Sequence, residues 1–155
     1  METTDFKNAA ELLELCSRHQ WMISDVMKQR ECDLSEIPMD QICHQMKHVL
    51  DIMKQSAAAP LKTPVKSMGG LIGGESRKLE LHRNRGKSIC GSVLGRGIAC
   101  AMAVLEVNAS MGVIVAAPTA GSAGIVPGLL LALQQEYHIS DDRMVDALFN
   151  AGAVG

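Results

Sequence analysis

The feature that most constrains the fold is a nearly uncharged stretch from Ser88 to Gly112 that is rich in small residues. These small residues are Gly91, Ser92, Gly95, Gly97, Ala99, Ala101 and Ala103. Small side chains permit helices to approach each other closely, so the stretch predicts a buried central helix despite the low helix propensity of its glycines.

The composition supports helices around such an element. Hydrophobic residues make up 47% of the 155 residues, yet aromatic residues make up only 3%. A core of Leu, Ile, Val, Met and Ala suits close-packed helices better than a sandwich of strands. We therefore expect a mainly α fold: a packed, bundle-like helical domain with a Gly-rich loop and little or no strand. The length suits one domain or a piece of a larger one.

Charge and cysteine content exclude several classes. A net charge of −2, without an arginine-rich strip, excludes a strongly basic nucleic-acid binder. No apolar run approaches the roughly eighteen residues of a transmembrane helix, so we expect no contact with a membrane. The acidic start, Met1–Asp5, is unlike a signal peptide, and five cysteines without paired spacing argue against a secreted disulfide scaffold. A cytoplasmic location is the resulting expectation.

Apolar periodicity places the remaining elements. It predicts helices from Asp5 to about Arg30 (one bent or two), Pro38 to Gln55, Glu75 to Gly86, Ile125 to Tyr137, and Asp141 to about Ala151. Turns are predicted at Asp33–Glu36 and Ala120–Ala123, irregular chain at Ala57–Gly74, and a short strand or extended chain at Val113–Ala117. The clearest amphipathic helix is the one from Pro38, with Ile42, Leu50 and Met53 on its apolar side.

Two glycine clusters lie in the segment Ser67–Glu75, at Gly69 and Gly70 and at Gly73 and Gly74. Glycines let successive backbone N–H groups converge on an anion without a Cβ in the way. The spacing matches neither a Walker loop nor a dinucleotide fingerprint. The clusters are therefore either an anion-binding loop or a flexible linker between helical units.

A second candidate is the polar turn Ala117–Gly124, which lies between the apolar segments Val113–Ala116 and Ile125–Leu133. A polar turn flanked by core residues is a place where pockets are often built. An ordinary capped loop is the alternative.

Cysteines and histidines give no metal-ligand set. Cys16, Cys32, Cys43, Cys90 and Cys100 lack the C-x₂-C spacing that holds zinc or an iron–sulfur centre, and Cys16, Cys43 and Cys100 suit apolar or interfacial helix positions. His44 and His48 are four residues apart but have no third ligand, so a solvated helix face is the expected setting; His82 should also be exposed. Lys87 lies where a charged segment meets the predicted buried helix, and it could reach a carboxylate or cap the interface between the two.

Several of these segments together resemble the α subunit of the iron–sulfur L-serine dehydratases. The matching segments, in order, are Ile23–Met27, Gly70–Glu75, Gly86–Gly91, Glu106–Gly112, Ala117–Gly128 and Leu148–Ala153. They cover essentially the whole chain, and Pro118–Gly128 is the most specific. Glu75 stands where this family's pattern has Asp.

The resemblance implies a lyase with a mostly helical catalytic domain and an oxygen-labile 4Fe–4S cluster. Three cysteines hold three irons, and the open fourth iron acts as a Lewis acid on the serine β-hydroxyl. A base removes the α-proton, giving aminoacrylate, which becomes pyruvate and ammonia. The resemblance implies no pyridoxal phosphate.

The family's cluster cysteines lie downstream of the segment Ala151–Gly155, and a serine- and histidine-bearing substrate segment belongs to a β subunit or β domain. The resemblance thus implies that residues 1–155 are the N-terminal part of the α domain, truncated at its C-terminus, inactive alone and part of an oligomer. At least one side of Ser88–Gly112 should then be exposed, because its usual neighbours are missing. The implied substrate-binding residues are Asn108, Thr119, Gly121, Ser122, Lys87, Gly69, Gly70, Gly73 and Gly74; no catalytic base and no metal ligand is assigned.

Two alternatives remain open. A related cluster-dependent lyase, such as an L-cysteine desulfidase, would expel sulfide in place of hydroxide. A non-catalytic helical module that regulates or scaffolds a partner would explain why no complete catalytic set occurs within these residues.

Overall fold

A computed structural model of the chain describes residues 4–86 and 88–155. In this part of the chain it contains seven α-helices and no strand, which confirms the mainly α fold class. The helices are α1 (Ala9–His19), α2 (Ile23–Ser35), α3 (Met39–Lys62), α4 (Glu75–Asn84), α5 (Gly91–Ala109), α6 (Ile125–Tyr137) and α7 (Asp141–Val154), with a 3₁₀ turn at Ala120–Ser122. Residues 112–116 are irregular, so of the two predictions for Val113–Ala117 the strand is wrong.

The segment from Asp5 to Arg30 forms two helices, because each has its own start signal. At the start of α1, the side chain of Asn8 accepts the N–H of Glu11, and Gln20 ends the helix in the left-handed conformation. At the start of α2, the Asp25 carboxylate accepts the N–H of Met22. Helix α2 continues to Ser35, so the predicted turn begins too early; Glu36, with φ 57°, ends the helix.

Helix α3 is longer than predicted. It passes Gln55 and includes Pro60, because the run Ala57–Ala59 favours helix and the hydrogen bond lost at Pro60 falls near the helix end. The predicted irregular segment therefore begins at residue 63. Ile42, Leu50 and Met53 are buried, as their spacing predicted.

The chain divides into two compact units, Met1–His48 with Asp141–Gly155, and Val49–Ser140. In the first, α2 packs against α7, and its core includes Val26, Met144 and Phe149. The ammonium group of Lys28 donates to the carboxylate of Asp146 at 2.5 Å. This unit contains none of the substrate-binding residues proposed from the sequence.

The second unit is built on α5, which packs against α4 and α6. Buried on α5 are Ala99, Cys100, Ala103 and Val104, and Cys100 and Val104 share a cluster with Ala57 and Ala123. The predicted buried helix is thus confirmed for one face. The other face is exposed, as expected for the small-residue helix: Leu94, Ile98 and Leu105 are 57%, 39% and 41% exposed.

Among the helices of residues 4–86 and 88–155, α5 is long and apolar enough to cross a membrane by length and composition alone. The sequence analysis expected no such segment, because no uninterrupted apolar run approaches eighteen residues; α5 contains the charged residues Arg96 and Glu106. The core helix of a globular domain also passes this test. Both charged side chains of α5 are paired with residues of α4, as described below.

Candidate functional site

The last turn of α5 connects the segments that the sequence singled out. The carboxylate of Glu106 accepts from Ser76 at the start of α4. The side chain of Asn108 donates to the carbonyl oxygen of Ala120 at 3.1 Å, and the carbonyl oxygen of Ala109 accepts from Met68 at 3.0 Å. Three residues of this turn, Glu106, Asn108 and Ala109, thus hold the beginning of α4, the polar turn and the glycine loop.

The glycine loop, residues 67–74, is closed by its own hydrogen bonds. The N–H of Ser67 donates to Ile72 O at 2.9 Å, the N–H of Ile72 donates to Ser67 Oγ at 3.1 Å, and the N–H of Gly70 donates to Ser67 O at 3.0 Å. Gly70 has φ 69° and Gly73 φ 153°, both in the region that favours glycine. A Cβ on Gly73 would lie 2.3 Å from the carbonyl oxygen of Val65. The loop therefore has a specific shape rather than the character of an open linker.

The carboxylate of Glu75 occupies one donor of this loop. Its Oε2 accepts the N–H of Gly73 at 2.6 Å. This bond is the main reason why the pKa of the Glu75 carboxyl lies below its ordinary value. The N–H groups of Gly70 and Gly73 thus donate hydrogen bonds to acceptors within this segment. Gly69 has open space where a Cβ would lie, and Gly74 is the last residue before α4.

The polar turn is a reciprocal cap. The N–H of Ser122 donates to Thr119 Oγ1 and the N–H of Thr119 donates to Ser122 Oγ, each at 3.3 Å. The two hydroxyl oxygens are 3.0 Å apart. Thr119 and Gly121 are exposed and Ser122 is half-buried, so the turn presents hydroxyl groups at the surface while Asn108 holds it against α5.

Of the residues proposed to bind substrate, Lys87 lies outside the described residues. The other eight belong to the second unit. Asn108, Thr119 and Ser122 are connected through the polar turn, whereas Gly69, Gly70, Gly73 and Gly74 belong to the loop that Met68 and Ser76 attach to α5. The glycine loop and the polar turn are thus both attached to the last turn of α5.

The sequence analysis did not single out Glu106 or Ser76. Glu106 is 2% exposed and Ser76 is 0% exposed. Ser76 donates to Glu106 twice, from its N–H to Oε1 at 2.7 Å and from its hydroxyl to Oε2 at 2.9 Å. The sequence did contain one signal for this contact, because Glu106 is a carboxylate in an otherwise apolar helix. A buried charge of this kind needs hydrogen-bond donors to compensate for the water it loses.

A second polar link joins α4 to α5. Glu80 accepts two hydrogen bonds from Arg83, each at 2.9 Å, and one from Arg96 at 2.6 Å. The hydrogen bonds from Arg83 are the main reason why the pKa of the Glu80 carboxyl lies below its ordinary value, and the positive charge of Arg96 lowers it further.

No group of three or more His, Cys, Asp and Glu side chains among residues 4–86 and 88–155 could hold a metal ion. All five cysteines are free: Cys100 is buried, Cys90 exposed and the other three half-buried. Burial raises the pKa of the Cys100 thiol, which disfavours the thiolate that iron requires. His44, His48 and His82 are exposed, as predicted. The cysteines of the described part of the chain therefore do not fit a 4Fe–4S cluster.

An apolar groove of about 680 Å³ runs along the exposed face of α5 and the neighbouring α6. Its lining includes Leu94 and Ile98 of α5 and Ile125 and Leu129 of α6. Ile125 and Leu129 are 66% and 56% exposed. The groove lies on the unit that also carries the glycine loop and the polar turn.

Comparison with known proteins adds to this geometry. The family model described as "Serine dehydratase alpha chain" matches residues 18–155. A probable L-serine dehydratase alpha chain of Bacillus subtilis is 41% identical over 150 residues, which cover 97% of this chain and 50% of that protein. The L-serine dehydratase alpha chain of Peptoniphilus asaccharolyticus is 33% identical over 147 residues, covering 95% of this chain and 50% of that one.

An L-serine dehydratase of Helicobacter pylori is 33% identical over 156 residues, covering 97% of this chain and 34% of that protein. The chain thus spans about half the length of the Bacillus subtilis and Peptoniphilus asaccharolyticus alpha chains. No solved structure shows significant similarity to it.

Proposed function

Because the chain belongs to the serine dehydratase alpha chain family, we propose that it is part of an enzyme, a lyase that converts L-serine to pyruvate and ammonia. The observation that carries this proposal is 41% identity over 97% of the chain to a relative named as a probable L-serine dehydratase alpha chain. Two of the segments that carry the family resemblance, Gly70–Glu75 and Ala117–Gly128, belong to the glycine loop and the polar turn that are attached to the last turn of α5.

The proposed reaction requires a site in which the β-hydroxyl group of serine can leave. Loss of the α-proton and the β-hydroxyl group as water gives aminoacrylate, which tautomerises to an imine. Hydrolysis of the imine consumes one water and gives pyruvate and ammonia, so the net reaction neither gains nor loses water.

We propose that the complete enzyme uses a 4Fe–4S cluster and no pyridoxal phosphate. The cluster would supply a Lewis acid for the leaving hydroxyl group. The five cysteines described above do not fit it, so we propose ligands outside residues 1–155 and derive no step through the cluster from this chain. These residues alone are then expected to be inactive.

The role proposed for this chain is to shape one wall of the substrate site. Thr119 and Ser122 present hydroxyl groups at the surface, and Asn108 holds their turn in place. The glycine loop offers close backbone approach at Gly69 and Gly70, where a Cβ would meet no atom within 4 Å. Such small polar groups suit a small zwitterionic substrate.

The remaining parts of the proposal concern assembly. A β subunit or β domain should complete the site, since two relatives are named alpha chains and this chain covers a smaller share, 34%, of the Helicobacter pylori protein. The apolar groove on α5 and α6 is a surface that further chain or a subunit could cover. We propose an oligomeric, cytoplasmic enzyme that binds neither nucleic acid nor membrane.

The test is to express the complete protein anaerobically with its β portion and to measure pyruvate formed from L-serine. Turnover of L-serine that disappears on complete loss of the cluster is the expected result. Activity that survives this loss would overturn the cofactor proposal, and faster turnover of L-cysteine, with release of sulfide, would favour the desulfidase. Failure to convert either amino acid would favour a non-catalytic module.

A further inference from the structure

The feature that the proposed function leaves unexplained is a buried carboxylate for which residues 4–86 and 88–155 provide no cation. Glu106 lies on the apolar helix α5 and is 2% exposed. None of the ion pairs in the described part of the chain includes it. A buried carboxylate is costly, so its retention needs a compensating arrangement of hydrogen bonds.

That arrangement is the start of α4. Helix α4 follows Gly74, which has no side chain to accept an N–H group of the first turn. Glu106 supplies the acceptor from α5, since Ser76, the second residue of α4, donates both its N–H and its hydroxyl group to the carboxylate. The positive end of the α4 dipole further favours a negative group there. Two bonds from one residue to one carboxylate fix both distance and direction.

The same contact determines where the glycine loop ends. Gly73 and Gly74 adopt positive φ values, and the Gly73 N–H is held by Glu75, so the turn into α4 is a continuous hydrogen-bonded unit. Displacement of Ser76 would therefore also displace Gly73 and Gly74. On the same turn of α5, Asn108 holds the polar turn.

We propose that Glu106 is a positioning residue of the substrate site. It holds the glycine loop, through Ser76, against the turn of α5 that also holds Thr119 and Ser122. Glu106 is buried and does not touch the substrate. This inference rests on the proposed function, since it assigns the glycine loop and the polar turn to one serine-binding wall.

The experiment uses the complete protein with its β portion and compares Glu106→Leu, Glu106→Gln and Ser76→Ala. Leucine fills the space without accepting a hydrogen bond, so the KM for L-serine should rise about tenfold or more. Glutamine accepts the Ser76 N–H and can donate to its hydroxyl oxygen, so KM should stay within about threefold of the wild-type value. Ser76→Ala removes one of the two bonds and should lie between them.

A control separates positioning from stability. Arg96 is the other charged residue of α5 and is also linked to α4, through Glu80. Arg96→Leu should lower the thermal midpoint without changing KM, because KM reports only on the folded fraction. Hydrogen exchange at the Ser76 amide should accelerate in Glu106→Leu and stay slow in Glu106→Gln.

The outcomes are distinguishable. If the wild-type protein converts L-serine and Glu106→Leu leaves KM unchanged, the positioning role is wrong and the proposed function stands. If the wild-type protein does not convert L-serine, the proposed function and this inference both fail. Should Glu106→Leu not fold, an unchanged KM in Ser76→Ala together with unchanged amide exchange in that variant overturns the inference.

Discussion

A Cβ atom on Gly128 would lie 2.7 Å from the carbonyl oxygen of Gly97. This distance defines the crossing of α5 and α6, where the backbones approach too closely for any side chain at Gly128. Gly97 and Gly128 thus permit the close packing of α5 against α6, as the abundance of small residues predicted.

The crossing predicts that the two glycines respond differently to the same substitution. Gly128→Ala places a methyl group against Gly97 O and should lower the free energy of unfolding by about 1–3 kcal/mol. Gly97→Ala should be tolerated, because its Cβ would meet Gly128 O at 3.5 Å, an ordinary contact, and alanine favours helix. Thermal unfolding of the two variants checks this. Equal destabilisation would show that the crossing is not as close as described.

Acid should weaken the link between α4 and α5. The pKa of the Glu80 carboxyl is lowered, chiefly by hydrogen bonds from Arg83, so its contribution is present above the unfolded-state value of about 4.3 and is lost as the pH falls through the lowered folded-state value. Glu80→Gln should cost about 2 kcal/mol at pH 7, since Glu80 is 12% exposed, and should remove this part of the acid dependence.

Urea denaturation between about pH 3 and pH 7 measures this dependence. Glu14→Gln is the matched control, because Glu14 is 66% exposed in its pair with Arg18. It should change the free energy of unfolding by less than about 0.5 kcal/mol. An acid dependence of Glu80→Gln that equals the wild type would contradict the prediction.

The sequence predicted the helices well where local signals are strong. Helix α6 begins at Ile125 and ends at Tyr137, as predicted, because an apolar run is bounded by Gly124 and by His138 in the left-handed conformation. Helix α3 continues past the predicted end at Gln55 and includes Pro60, which lies near the end of the helix. Local helix propensity alone does not predict whether a helix continues past a proline.

The candidate site was predictable as segments but not as contacts. Glycine spacing and polar turns identified the loop and the turn, since both are local patterns. The bonds that connect them join residues far apart in sequence, such as Glu106 with Ser76 and Asn108 with Ala120. The periodicity of apolar residues does not predict such pairs. The only signal was Glu106, a carboxylate in the apolar helix α5, which indicated the need for a partner such as Ser76.

The shape of the glycine loop yields a third prediction. Gly73→Ala would bring a Cβ to 2.3 Å from Val65 O at a backbone conformation that alanine avoids. The loop should open, and exchange of the Ile72 amide hydrogen should accelerate by about tenfold or more. Gly69→Ala, with no atom within 4 Å of its Cβ, should leave that exchange rate unchanged. Fast exchange in the wild type would instead indicate a flexible linker.

The last prediction concerns Asn108, whose side chain donates to Ala120 O at 3.1 Å. In the complete protein, Asn108→Ala should raise the KM for L-serine about tenfold, because the turn with Thr119 and Ser122 loses its link to α5. The loss in stability should be only about 1 kcal/mol, the net value of one hydrogen bond. Asn108→Asp should be at least as harmful, because a carboxylate would face the carbonyl oxygen of Ala120.

Steady-state kinetics with L-serine measures the effect, and Ser110→Ala is the matched control. Ser110 lies two residues further along and its hydroxyl group donates only to Val107 O within the same helix end. Its removal should leave KM unchanged. A wild-type KM in both Asn108 variants would mean that the polar turn needs no link to α5, and would remove Asn108 from the proposed substrate wall.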